Sequence, residues 1–152
     1  MHIYLILILY FLAPGYTDMQ VDKEAILHQI NIVRKEGCRC GKKYMPPVPP
    51  LAWSSTLEHS SNLHAQDMAR RDYFSHVTPE GVDVGERVLA AGYKWSYVGE
   101  NIASGQKDFN QVLEDWMKSP VHCKLIMNPN FRETAVSRYD RKWVQHFGRK
   151  QE

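Results

Sequence analysis

The sequence predicts an α+β fold. Three stretches carry apolar residues at the three- and four-residue steps of a helix, and two short extended runs joined by a turn close the chain. Helices first and strands last argue for α+β rather than alternating βαβ units. At 152 residues, with 43% apolar and 24% charged residues, the chain fits one core comfortably and two poorly.

The N-terminus runs from Leu5 to Leu12 almost without a polar atom and meets a small-residue stop at Ala13-Pro14-Gly15. That run is far too short to cross a hydrocarbon layer of about 30 Å as a helix. It matches the core of a secretory signal peptide, although no Lys or Arg precedes it, and a buried N-terminal strand or helix is the alternative. Residues 1–17 are therefore expected to be a signal peptide and residues 18–152 a single domain, with no transmembrane segment in the mature chain.

In residues 22–36, Ile26, Ile30 and Val33 fall at helical spacing, and Gly37 stands where a left-handed cap residue belongs. The proline-rich residues 45–50 can be neither helix nor central strand, which makes them a stiff connector. A second helix is predicted from residue 54 or 55 to 71, with Leu57, Ser61, His64, Ala65 and Met68 on one face, so His64 is expected to point inward. Turn residues occupy 73–81, a short helix 84–91 ends at Gly92, and the backbone turns extended over 93–98. Asp108 can cap a longer helix with Gln111 three residues on, continuing through Val112, Leu113, Trp116 and Met117 until Ser119-Pro120 stops or kinks it. After a loop at 127–130, residues 133–138 and 143–147 read as strands joined by Tyr139-Asp140-Arg141-Lys142. Trp95, Trp116 and Trp143 are expected in the core.

Nineteen basic and 17 acidic residues leave a net charge of +2, with basic clustering only at Lys42-Lys43, Arg70-Arg71 and the C-terminal tail. No basic stripe or reading motif is present, so nucleic acid is excluded as a partner. Three cysteines, Cys38, Cys40 and Cys123, allow one bridge and one leftover thiol in an oxidising compartment. A Cys38–Cys40 bridge would close a small, strained ring, so a long-range bridge from one of the two to Cys123 is expected. A four-cysteine zinc site is ruled out.

Three local clusters combine polar side chains with turn residues: Tyr73-Phe74-Ser75-His76, Gly99-Glu100-Asn101-Ile102-Ala103, and Trp116 through Pro120-Val121-His122. Together with His64-Ala65-Gln66-Asp67-Met68, Gly92-Tyr93, Asn128-Pro129 and Phe131, in this order, they resemble the CAP superfamily of SCP-like domains: cysteine-rich secretory, antigen 5 and pathogenesis-related proteins. The bacterial secreted branch is the nearer match, over roughly residues 22–148. The resemblance implies a three-layer α-β-α sandwich with a small, mainly antiparallel central sheet, a secreted or periplasmic location, and a cleft lined by two histidines and one or two glutamates.

Carried over residue by residue, the resemblance assigns His76, Glu100 and His122 to the cleft, with His64, Ser119, Asn101 and Asp67 as supporting candidates. Eukaryotic members place a second Glu three residues after the helix Trp, where this chain has Ser119. The bacterial pattern has Gly where this chain has Val121 and Ala135, so a positive φ at either position would force a local shift.

Two imidazoles and one carboxylate, expected from different loops, are the candidate ligands for zinc or another divalent cation and equally the candidate acid and base. No cofactor is certain. With one carboxylate instead of two, metal binding should be modest and should weaken as imidazoles protonate, below about pH 6.5. The expected function is a secreted, monomeric binding domain for a small ligand, lipid, sterol, peptide or divalent metal. A metal- or His/Glu-dependent hydrolase and a purely structural interaction domain are the alternatives.

Overall fold

Residues 21–152 are described by the structure, a computed structural model; the expected signal peptide lies outside the described residues. Asp22 accepts a hydrogen bond from the Ala25 amide and starts α1 (Lys23–Glu36), which buries Ile26 and Ile30 and ends at Gly37 with φ +71°. A hairpin of β1 (Cys38–Cys40) and β2 (Lys43–Met45) follows, then the proline connector and the short β3 (Ala52–Trp53). Ser54 caps α2 (Ser55–Arg70), and Asp83 with Glu86 forms a reciprocal capping box on α3 (Val84–Ala90). The remaining elements are β4 (Trp95–Ser104), α4 (Phe109–Lys118), α5 (Pro120–Ile126), β5 (Glu133–Tyr139) and β6 (Lys142–Lys150).

The main sheet has the order β3-β5-β6-β4, with β3 parallel to β5 and the other pairs antiparallel. Strand alternation divides its side chains between two helical layers. Ala103, Val136, Trp143 and Phe147 face a cluster completed by Ile26 and Ile30 of α1, Phe109, Val112 and Trp116 of α4 and Ile126 of α5. On the opposite face Ala135, Val144 and Ile102 meet Leu57, Ala65 and Met68 of α2 and Val88 of α3. This is the expected three-layer α-β-α sandwich.

Two polar ties hold the layers. Trp116 is 1% exposed, and its indole N–H donates to the Ile102 carbonyl at 3.1 Å, so the ring is buried without an orphaned donor. Arg34 of α1 is fully buried; its guanidinium donates to the carbonyls of Pro49, Ile126 and Asn128 at 2.8, 2.6 and 3.1 Å. One cation thereby fixes the proline connector and the C-terminal end of α5, where carbonyls lack helical partners. Burial, helped by the charge of Arg132, lowers its pKa to about 10, which leaves it protonated at neutral pH.

Five elements depart from the expectation, the short β3 among them, in a stretch assigned no structure. The β1–β2 hairpin falls in a segment assigned no structure, between Gly37 and the prolines. The extended run at 93–98 continues to Ser104, so Gly99-Glu100-Asn101-Ile102-Ala103 is mid-strand rather than loop. Pro120 does not end the helical region: it occupies the first turn of α5, where its missing N–H has no helical acceptor to lose.

Candidate functional site

Glu100 lies on β4 directly opposite His146 of β6, and both side chains emerge on the face covered by α2 and α3. Around the carboxylate gather groups from four other elements. His76, in the segment between α2 and α3, donates from Nδ1 to Oε1 at 2.7 Å. His146 Nε2 and Arg87 Nη2 of α3 reach Oε2 at 2.8 and 2.7 Å. His64 of α2 donates from Nε2 to the Ser75 carbonyl at 3.0 Å, and the same nitrogen stands 3.8 Å from Oε2. Arg87 also donates to the carbonyls of His76 and Val82 at 3.0 and 2.9 Å, tying the segment that carries His76 to α3.

The Glu100 side chain is 1% exposed, yet it is held ionised. Burial alone would raise its pKa; hydrogen bonds from His146 and His76, with the Arg87 charge, outweigh it and hold the carboxyl far below the usual carboxylate range. His64 is pushed down to about 4, chiefly by burial, and burial also lowers His146. Both are therefore neutral at pH 7. The arrangement is an ionised carboxylate satisfied by one fixed cation and two imidazole N–H donors.

His122 approaches from the other helical layer. It sits on α5, whose backbone is tied to β4 by Asn101, the Asn101 amide donating to the His122 carbonyl at 3.4 Å and to Gln145 Oε1 at 3.2 Å. Because Glu100 and Asn101 are adjacent on a strand, they serve opposite faces of the sheet. Edge strand β4 consequently separates the Glu100 network from α5, and a groove of about 320 Å³ at this edge is lined by Phe74, Ser104, Gln106, Asp115, Ser119 and His122 among others. His76 and His122 are close enough for the first to disfavour protonation of the second, whose pKa is lowered by burial and then by the His76 charge. His76 is half-exposed, and its Nε2 is left uncommitted by the Glu100 bond.

His76 and Glu100 are thus in direct contact, while His122 is not bonded to either. Among the described residues, the group of three or more Cys, His, Asp or Glu whose ligand atoms all lie within 4.8 Å is Cys38, Cys40 and Cys123, not the His/Glu set. Ser119 lies between α4 and α5 and makes no side-chain capping bond. Asn101 fastens α5, and Asp67 accepts the Tyr73 hydroxyl at 2.5 Å. Val121 and Ala135 both have ordinary negative φ, so neither position requires the glycine of the bacterial pattern. The long-range bridge is Cys40–Cys123, and Cys38 is the free thiol.

Sequence reasoning missed His146 and Arg87. His146 is a fully buried polar residue of β6 beside the equally buried Gln145, and Arg87 is a nearly buried cation on a short helix. The β4–β6 register brings His146 to Glu100 and the placement of α3 brings Arg87, neither of which a local sequence signal marks.

The chain is 36% identical over 102 residues to the uncharacterised protein YkwD of Bacillus subtilis, a match spanning 66% of this chain and 40% of that one. It is 27% identical over 128 residues to the uncharacterised membrane protein YlbC of the same organism, across 83% of this chain and 34% of the relative. The chain therefore spans well under half the length of these relatives. Among solved structures, an extracellular protein containing an SCP domain from Bacillus anthracis superposes with a TM-score of 0.75 at 30% identity, covering 84% of this chain and 40% of that one. An outer surface protein of Borrelia burgdorferi superposes at 0.73 with 20% identity, over 84% and 92% of the two chains, a likeness of fold. The family model for CAP, the cysteine-rich secretory protein family, matches residues 27–147, and the chain belongs to that family.

Proposed function

We propose that the chain is an extracytoplasmic binding domain whose groove at the β4 edge takes a small ligand, with His76 and His122 as its imidazole contacts and Glu100 as the group that orients His76. The observation that carries this reading is the engagement of Glu100. Three hydrogen bonds, one to Oε1 and two to Oε2, commit its oxygens to His76, His146 and Arg87, which favours an orienting role over that of general base or direct metal ligand. What it does supply is a fixed ring orientation, the task a carboxylate performs behind a ligating or proton-transferring histidine. The half-exposed Phe74 in the groove lining adds apolar surface suited to a lipid, sterol or peptide chain.

A divalent cation such as zinc would be held by the two imidazoles as a weak, open-sided guest, because two nitrogen donors leave coordination positions to water or ligand. The extracytoplasmic placement is supported by the apolar N-terminal run and by the extracellular description of the Bacillus anthracis structure. Native mass spectrometry against lipid, sterol and peptide panels tests the reading. Adducts should form on the wild type and fall at least about tenfold in the Phe74→Asp variant, a factor equal to 1.4 kcal/mol. A protein that stays empty across the panels, or adducts indifferent to that substitution, would count against the groove.

A hydrolase would need a nucleophile or an activated water beside His76 or His122. Among the described residues no hydroxyl or thiol is hydrogen-bonded to either ring. The binding reading therefore stands ahead of a hydrolase that uses a side-chain nucleophile.

A further inference from the structure

Three sulfurs meet where β1 packs on α5. Cys38 and Cys40 are two residues apart on a strand and so share one face, and that face meets Cys123. Cys40 is bonded to Cys123, and the Cys38 sulfur stands 3.7 Å from Cys123 Sγ and 3.9 Å from Cys40 Sγ. These are contact distances for non-bonded sulfur. Close backbone packing fixes the strand in this position: Gly37 and Gly41 bracket β1 at φ +71° and +64°, and a Cβ on them would lie 2.8 Å from the Met45 carbonyl oxygen and 3.0 Å from Pro120 Cγ.

We propose that Cys123 is a shared partner, and that the Cys38 thiol exchanges with the Cys40–Cys123 disulfide so that the bridge to α5 passes between two cysteines of one strand. In the exchange the Cys38 thiol gives its proton to water and its sulfur lone pair forms a bond to Cys123 Sγ. The Cys40–Cys123 bond breaks, its electron pair remains on Cys40 Sγ, and that sulfur takes up a proton. No net oxidation or reduction occurs.

Attack on a disulfide runs in line with the bond that breaks, whereas Cys38 flanks that bond almost equidistantly from both sulfurs. A side-chain rotation therefore precedes exchange, and the sulfurs approach by roughly 1.7 Å to reach a bond of about 2.05 Å. Burial pushes the Cys38 thiol up, which favours the quiescent thiol at neutral pH. The consequence is a change in which thiol the chain presents: Cys38 is partly exposed, whereas Cys40 is 1% exposed. Exchange thus buries the reactive sulfur while keeping α5, and with it His122, tethered to β1.

Arg39 lies between the two strand cysteines, so trypsin separates them onto different peptides. Native wild-type protein is incubated at mildly alkaline pH, quenched in acid, unfolded in N-ethylmaleimide, digested and mapped by mass spectrometry. The expected result is a linked Cys38–Cys123 peptide with an equal amount of maleimide-labelled Cys40, both lost in the Cys38→Ser variant. In the Cys40→Ser variant, oxidised glutathione should close a Cys38–Cys123 bridge, releasing two reduced glutathiones and leaving no reactive thiol. Wild type whose Cys40 never takes label overturns the proposal, as does a folded Cys40→Ser protein that retains two reactive thiols. If that variant does not fold, the wild-type map alone decides.

Discussion

Glu100 illustrates how a residue read as one of three ligands becomes the centre of a different arrangement. His76, His146 and Arg87 use its oxygens, and removing its charge strands a nearly buried guanidinium. Glu100→Gln should lower the unfolding free energy by about 3–5 kcal/mol, the cost of breaking a buried pair by removing one member, as read from urea denaturation. The neutral imidazoles add an acid sensitivity. His64 and His146 have folded-state pKa values below that of an unfolded histidine, so below about pH 6.5 the unfolded chain takes up protons that the folded chain refuses. Stability is therefore full above that pH and declines as pH falls toward about 4, where His64 itself protonates, with a slope of up to about 1.4 kcal/mol per pH unit for each histidine. Thermal melts across this range check it; a melting temperature flat between neutral pH and the lower limit would refute the neutral, buried state. His76 and Glu100 were singled out through the family resemblance, since the local clusters of turn and polar residues that hold them are weak signals alone. His146 and Arg87 were not, because their role depends on a strand register and a helix placement that no local pattern encodes.

The elements explain both the successes and the misses. α1, α2 and α4 were readable from apolar spacing and caps, since Asp22, Ser54 and Asp108 each cap with their own side chains. α5 was hidden because Ser-Pro reads as a stop, although proline is equally at home in the first turn of a new helix. β4 was cut short because Gly99 and polar Glu100 and Asn101 interrupt the apolar run, yet Gly99 is where the Phe131 ring packs against the strand: a Cβ there would lie 2.8 Å from the ring edge. The bridge from β1 to α5 closes a separation of 83 residues and is the covalent anchor of the helix that carries His122. Cys123→Ser should therefore cost about 2–5 kcal/mol in urea denaturation, since it removes both the native link and any exchange partner for it. An unchanged midpoint would mean that Arg34 and the apolar contacts alone hold α5.

At the scale of the whole molecule, the sheet is a partition. One face carries α2 and α3 with the Glu100 network, the other carries α1, α4 and α5, and His122 lines the groove at the β4 edge while His76 stands on the Glu100 side, near enough to lower the His122 pKa. The family resemblance made this architecture legible in advance; composition and periodicity alone supported only α+β. The absent second carboxylate also has a structural counterpart, because Ser119 stands at the α4–α5 junction and adds no negative charge to the groove. The central claim, that the two imidazoles act together as a binding pair with Glu100 behind one of them, is tested most directly by zinc titration calorimetry. It is best done in a Cys38→Ser background, so that the free thiol does not contribute. The account predicts modest binding at neutral pH, lost in both His76→Ala and His122→Ala; equal heats in these variants and the parent would contradict it.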